Sequence, residues 1–250
     1  MQRDRLVLFV VSLGTALLFW QGVISLSGIS PRILPSPLSV LQSFLINWEL
    51  ILEHSITTII EALLGLGISI ILGIFLAILI DASKKVRHFV SPFLVFSQTI
   101  PIIALAPLLL VWFGFGISPK VIIVVLYCFF PITLAMYEGL GSLNKDIFFL
   151  LKSMRASRVQ ILFKAKLPVS MPFFMAGLSI SIVYAIAAAI VGEFVGGYRG
   201  LGILMLQAAN SHRIDLLFAL IIFSSCMSFL LYVFVILLRK KIIPWEYPHA

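Results

Sequence analysis

The chain is predicted to be an all-α integral membrane protein with six transmembrane helices and both termini in the cytoplasm. Three observations predict it. First, 61% of the 250 residues are hydrophobic and 11% are charged, with a mean hydropathy of +1.15. A soluble domain is about 45–50% apolar and about 25% charged. Second, six separate stretches come near the ~20 apolar residues that a bilayer span needs. Third, the basic residues gather on alternate loops, as they do where loops stay on the cytoplasmic side. This composition leaves too little polar surface for a water-soluble globule. It also excludes a disordered, fibrous or disulfide-scaffold protein.

Each element follows in order. The first span covers residues 6–26. Arg3 and Arg5 precede it, and it has no small-residue cleavage site, so it is expected to stay as a span. Residues 27–55 hold the Pro-rich stretch from Pro31 to Pro37, then an amphipathic run over 38–52. That run is expected to lie along the interface with Trp48 at headgroup depth. In the second span, 56–80, Gly65, Ser69, Gly73 and Ala77 recur every four residues and share one face. Small residues let helix backbones approach closely where no hydrophobic force drives association. The third span, 91–113, carries Ser97, Gln98 and Thr99, followed by Pro101 and Pro107. Proline removes a backbone donor. Broken helix at membrane depth is tolerated where it packs in protein or lines a wet cavity. These five residues read as translocation-path lining or as a structural kink. The fourth span is 120–137. The fifth, 172–195, repeats the small-residue pattern with Gly177, Ser181, Ala185 and Ala189, and Tyr184 on it is a second lining candidate. The sixth is 216–238. The small faces serve packing, or also slide during transport.

The loop charges orient the chain. With the N-terminus in the cytoplasm, fourteen Lys and Arg residues fall inside, while Arg32, Lys120, Arg199 and Arg213 fall outside. No Asp, Glu, Lys, Arg or His falls near the middle of a span. Glu61 and Glu193 sit toward the outer ends of the second and fifth. A proton relay needs ionisable groups along its path, so the energy source is expected to lie outside this chain. The chain has no G-x-x-x-x-G-K-[ST], H-E-x-x-H, C-x-x-C or G-x-S-x-G. No catalytic residue, metal set or cofactor is therefore expected. His54, His88, His212 and His249 read as solvated or interfacial, and Cys128 and Cys226 as a buried pair of small hydrophobes. The basic excess marks cytoplasmic loops rather than a nucleic-acid partner.

Residues 138–171 form the one sizeable cytoplasmic element. Asn144 or Asp146 caps a short helix over 147–152. Ser157 and Gln160 have the spacing of a capping box that starts a second helix, reaching about Lys166. Leu167-Pro168 is expected to stop that helix and Pro172 to open the next span. Five apolar residues in a row, Ile147 to Leu151, do not suit a free surface. A helix held in a partner's groove resolves the conflict.

Gly139-Leu-x-Ser142, Asp146, Ala156-Ser157-Arg158, Leu167-Pro168, Pro172 and Ala176-Gly177-Leu178 resemble the EAA loop of permease subunits of binding-protein-dependent ABC importers, type I in fold. The run from Thr99 through Pro101, Ala104, Pro107 and Leu108 to Trp112-Phe113-Gly114-Phe-Gly116 resembles the branch importing sulfonates, taurine, nitrate and pyrimidine or thiamine precursors. Glu193 with Gly200-Leu201-Gly202 fits that branch. The resemblance covers residues 58–239 of a single permease domain, 1–250, with its coupling loop at 139–171.

The resemblance implies a multi-pass protein of the cell inner membrane, surrounded by lipid. It implies a pore made with a second copy of the chain, and a periplasmic or lipid-anchored solute-binding protein that delivers substrate. A separate ABC ATPase dimer would hold ATP and Mg and receive the loop as a coupling helix. The residues carried over to coupling are Asp146, Phe149, Leu150, Leu151, Arg155, Ala156, Ser157, Leu167 and Pro168; Glu193 joins the translocation path. The departures are specific. The family's E-A-A falls on Phe149, Leu150 and Leu151, its Gly on Arg155 and its Ile on Ala165, so only Leu167-Pro168 survives. Glu61 stands where relatives often carry a basic residue. An ATPase-independent channel or secondary carrier, or an uncoupled permease, is the alternative expectation. The lack of a basic residue at membrane depth favours a neutral or cationic heterocycle as solute over a sulfonate.

Overall fold

A computed structural model describes residues 2–28 and 30–246, and every described element is helical. His249 lies outside the described residues. The chain begins with α1 (Gln2–Ser27) and α2 (Pro37–Ile46). Ser36 caps α2 by accepting the Ser39 N–H at 3.1 Å, and Pro37 occupies the first turn, where its missing N–H costs nothing. The run expected along the interface over 38–52 is therefore shorter. It ends at Asn47, and Trp48 opens α3 (Trp48–Ala82). Trp48 packs edge-on against Phe44 with ring centroids 5.5 Å apart.

The third expected span is not one helix. It consists of α4 (Lys84–Thr99) and α5 (Ile102–Phe113), which meet at 98°. Pro101 causes the break. It has no N–H to continue α4, and it drives the preceding Ile100 to extended geometry at φ −74°, ψ 123°. Pro107 is accommodated inside α5. Then come α6 (Ser118–Gly141), α7 (Lys145–Ser153), α8 (Arg158–Ile161), α9 (Leu167–Gly196), α10 (Leu201–Asn210) and α11 (Ile214–Ile242). Among the described residues, four helices are long and apolar enough to cross a bilayer, or five when the bent α4–α5 pair counts as one span.

The expectation that Leu167-Pro168 ends the loop helix is corrected. A π-helical turn over Leu162–Lys166 joins α8 to α9, so helix runs unbroken from Arg158 to Gly196. Leu167 donates its N–H to the Leu162 carbonyl, five residues back. That wider turn gives the Pro168 ring the room a regular turn denies it against the carbonyl four residues earlier. Pro172 accordingly lies inside α9 rather than at its start.

The core is α6 held between α3 and α9. Gly65, Ser69, Gly73 and Ala77 are all buried on α3, and Gly65 and Gly73 lie against Val124 and Ile132 of α6. On α9, a Cβ at Gly177 would sit 2.7 Å from the Pro131 carbonyl. Ser181 donates to the Cys128 carbonyl at 2.8 Å, while the Cys128 thiol donates to the Ser181 carbonyl at 3.3 Å. These contacts use dispersion and interhelical hydrogen bonds, the forces left where lipid is as apolar as leucine. Cys128 is buried as expected, but Cys226 is exposed on α11, because its helix turns that face away from the core.

Candidate functional site

Three places on the bundle carry chemistry. The first is the loop between α6 and α9. Asn144 caps α7 by accepting the Asp146 N–H at 2.7 Å. Ser157 accepts the Gln160 N–H at 3.2 Å, and the Gln160 side chain accepts the Ser157 N–H at 2.8 Å, which completes the capping box. Between the two caps the chain reverses at Arg155, whose φ is 59°. The Arg155 N–H donates to the Lys152 carbonyl and the Ala156 N–H to the Leu151 carbonyl, both at 3.0 Å. This paired closure is the Schellman stop, whose left-handed position usually holds glycine. The position where the family's pattern has Gly thus takes a left-handed conformation with Arg in it.

No residue of α7 is buried against its own chain, and the Phe149 and Leu150 side chains are each 60% exposed. Asp146 is exposed and Leu151 half-buried. Beside α7, a groove of about 560 Å³ runs between Phe148, Lys152 and Val159 of the loop and Ile78 and Asp81 of α3. Lys166 donates to both carboxylate oxygens of Asp81 at 2.6 Å, fixing the end of α3 to the π turn. Leu167 and Pro168 stand just beyond, at the start of α9.

The second place is the break between α4 and α5. Ser97 and Thr99 spend their hydroxyls on their own helix, donating to the Leu94 and Phe96 carbonyls at 2.7 and 2.8 Å. Gln98 and Pro101 instead line a cavity that also meets Tyr127 of α6. Tyr184 is exposed elsewhere on α9, outside that cavity.

The third place is the end of the bundle away from the loop, and sequence reasoning largely missed it. Lys120, expected at the outer end of the fourth span, lies in the first turn of α6, where it is buried and donates to Glu61 Oε1 of α3 at 2.7 Å. Glu193 of α9 is fully buried and does not face an open path. Its Oε1 accepts from the Thr58 hydroxyl at 2.7 Å and its Oε2 from the Gly202 N–H at 2.5 Å. The Thr58 hydroxyl also accepts the Leu201 N–H at 2.9 Å. The carboxylate therefore caps the N-terminus of α10, where negative charge is favoured. Gly200, at φ 126°, and Gly202 are required there because a Cβ on either would run into the Glu193 carboxylate. His54 is not merely solvated: its Nδ1 lies 2.9 Å from the Gly200 carbonyl. The Glu193 and Gly200-Leu201-Gly202 motifs were visible in sequence, but their contact was not. Lys120 and Glu61 are 59 residues apart, with nothing local to join them.

A bundle of apolar spans, a broken span facing a cavity and a capped helix left uncovered define a membrane transport subunit. The chain matches the family described as "Binding-protein-dependent transport system inner membrane component" over residues 69–244, and it belongs to that family. It is 37% identical to a probable ABC transporter permease protein of Haemophilus influenzae, over 91% of this chain and 93% of that one. It is 36% identical to the formylaminopyrimidine transport permease protein ThiX of Halalkalibacterium halodurans, over 86% and 87%. In fold it is similar to a chain of the MetNI methionine ABC transporter, with a TM-score of 0.67 at 16% identity, covering 81% of this chain and 98% of that one. The chain is thus the multi-pass permease component of a binding-protein-dependent ABC import system, with ATPase and solute-binding components as its partners.

Proposed function

We propose that two copies of this chain form the translocation path for a small organic solute, and that α7 is the helix through which a separate ATPase drives it. The observation that carries this is α7 itself. It is capped at both ends and stopped by its own hydrogen bonds, yet it leaves Phe149 and Leu150 uncovered. A short helix with an apolar face and no cover from its own chain fits a partner's groove. Asp146, Leu151, Arg155, Ala156 and Ser157 frame that face, and Leu167 and Pro168 join it to α9. ATP and Mg belong to the ATPase. The loop and both termini face the cytoplasm, and the Glu193 end faces the solute-binding protein.

The solute is best read as an uncharged nitrogen heterocycle. The pathway candidates Ser97, Gln98, Thr99, Pro101, Pro107 and Tyr184 include no cation to pair with a sulfonate, and the relative named for formylaminopyrimidine supports the same reading. The test is uptake into vesicles rebuilt from this chain, its ATPase and its binding protein. Uptake that requires ATP and all three components is the expected result. Uptake by this chain without ATPase or nucleotide would instead establish an independent channel or carrier.

A further inference from the structure

The bend between α4 and α5 leaves a cavity of about 210 Å³, lined by Gln98, Ile100, Pro101, Ile102, Ile103 and Tyr127. Tyr127 is nine residues into α6 from Ser118, so at ~1.5 Å per residue it lies about 14 Å from that end. Tyr127 thus lies well inside a helix long and apolar enough to span, and Gln98 shares its cavity.

Their polar tips are unlike those of their neighbours. Ser97 and Thr99 satisfy themselves on α4, whereas the Gln98 amide and the Tyr127 hydroxyl have no hydrogen-bond partner among the described residues. With no such partner of its own, the Gln98 amide is free to bond the polar edge of a ligand in the cavity.

We infer that Gln98 and Tyr127 form a solute-binding subsite for one uncharged, nitrogen-containing aromatic ring of the aminopyrimidine type. This rests on the permease reading and adds to it the residues that hold the solute. A glutamine amide offers donor and acceptor side by side. It matches a ring nitrogen next to an exocyclic amino group, the pairing by which glutamine reads the edge of adenine. A tyrosine face stacks on a flat heteroaromatic ring. No Lys, Arg or His lines the cavity, so it offers a sulfonate or phosphate no counter-charge. The cavity is partly open, so a flat substituted ring can enter it edge-first.

The test uses the full chain in lipid nanodiscs with tritiated formylaminopyrimidine as probe and taurine as competitor. Gln98→Leu and Tyr127→Leu should each raise the probe's Kd about tenfold, while Tyr127→Phe, which keeps the ring, stays within about threefold. Taurine should not displace the probe. Unchanged Kd in both leucine variants, or displacement by taurine, would overturn the subsite. Photolabelling of the unaltered chain by an azido analogue needs no variant to fold. Adducts on the α4–α5 junction and α6 near Tyr127 support the subsite, and adducts elsewhere overturn it. ATP hydrolysis by the complex is measured in parallel. Stimulation by loaded binding protein with unchanged Kd rejects the subsite alone. Loss of that stimulation in the unaltered complex rejects the importer reading and the subsite's transport role with it.

Discussion

The two ends of the α3–α6–α9 bundle handle their side chains in opposite ways. At the Glu61 end, two carboxylates and a lysine are buried, and each is engaged by another helix: Glu61 by Lys120, and Glu193 by Thr58 and the start of α10. At the α7 end, one pair, Lys166 with Asp81, ties the bundle to the loop, the hydrogen bonds of α7 itself are local, within its caps and the Arg155 stop, and apolar side chains stand uncovered. The first end is finished by its own chain. The second has a fixed shape and no cover, so it is the end built to receive something.

The comparison breaks most readily at Lys120. Lys120→Ala leaves Glu61 buried and unpaired, and its Oε2 already lacks a partner among the described residues. Removing one member of a buried pair costs about 3–5 kcal/mol. A clear fall in melting temperature is expected for the chain in nanodiscs. Replacing both members, Lys120→Met with Glu61→Leu, should restore most of it. A single variant that melts with the wild type would show that the pair holds nothing.

A smaller loss is expected from Gly177→Ala, because the new Cβ would meet the Pro131 carbonyl at 2.7 Å. Overpacking of this kind costs about 1–3 kcal/mol. Gly141→Ala, with open space around it, should leave the melting temperature unchanged. Equal melting of the two variants would remove the close helix approach from the account.

At the other end, effects should stay local. Ser157→Ala removes the cap of α8 and costs about 1 kcal/mol. Hydrogen exchange should quicken over Arg158–Ile161 while the bundle melts unchanged. Arg155→Gly relieves a left-handed residue and should slow exchange at the Ala156 amide by a factor worth about 1 kcal/mol. Global melting shifts from either variant would mean that the loop is not independent of the bundle.

Sequence legibility divides along the same line. Asn144, Ser157 and Gln160 were readable because a cap is a contact over two or three residues. Arg155 was readable as a turn because it falls where the family carries Gly. The Pro168 stop was misread, since a π turn ahead of a proline leaves no local composition signal. Lys120 was placed at the outer end of its span, but its pairing with Glu61 depends on how α3 lies against α6 and leaves no local signal. The small-residue faces were plain from their spacing of four, though not which helix would fill them. Glu193 was singled out, but its role as the cap of α10 required seeing a helix in a segment too short to span.

The central claim is that α7 is held in shape for an ATPase. Its most direct test is co-purification of tagged chain with each ATPase subunit from the same genome, repeated with Phe149→Asp and Leu150→Asp. The account expects one ATPase to co-purify, and the complex to be lost in both variants while the chain still melts as the wild type does. An ATPase that binds the variants equally well, or the absence of any bound ATPase, would contradict it.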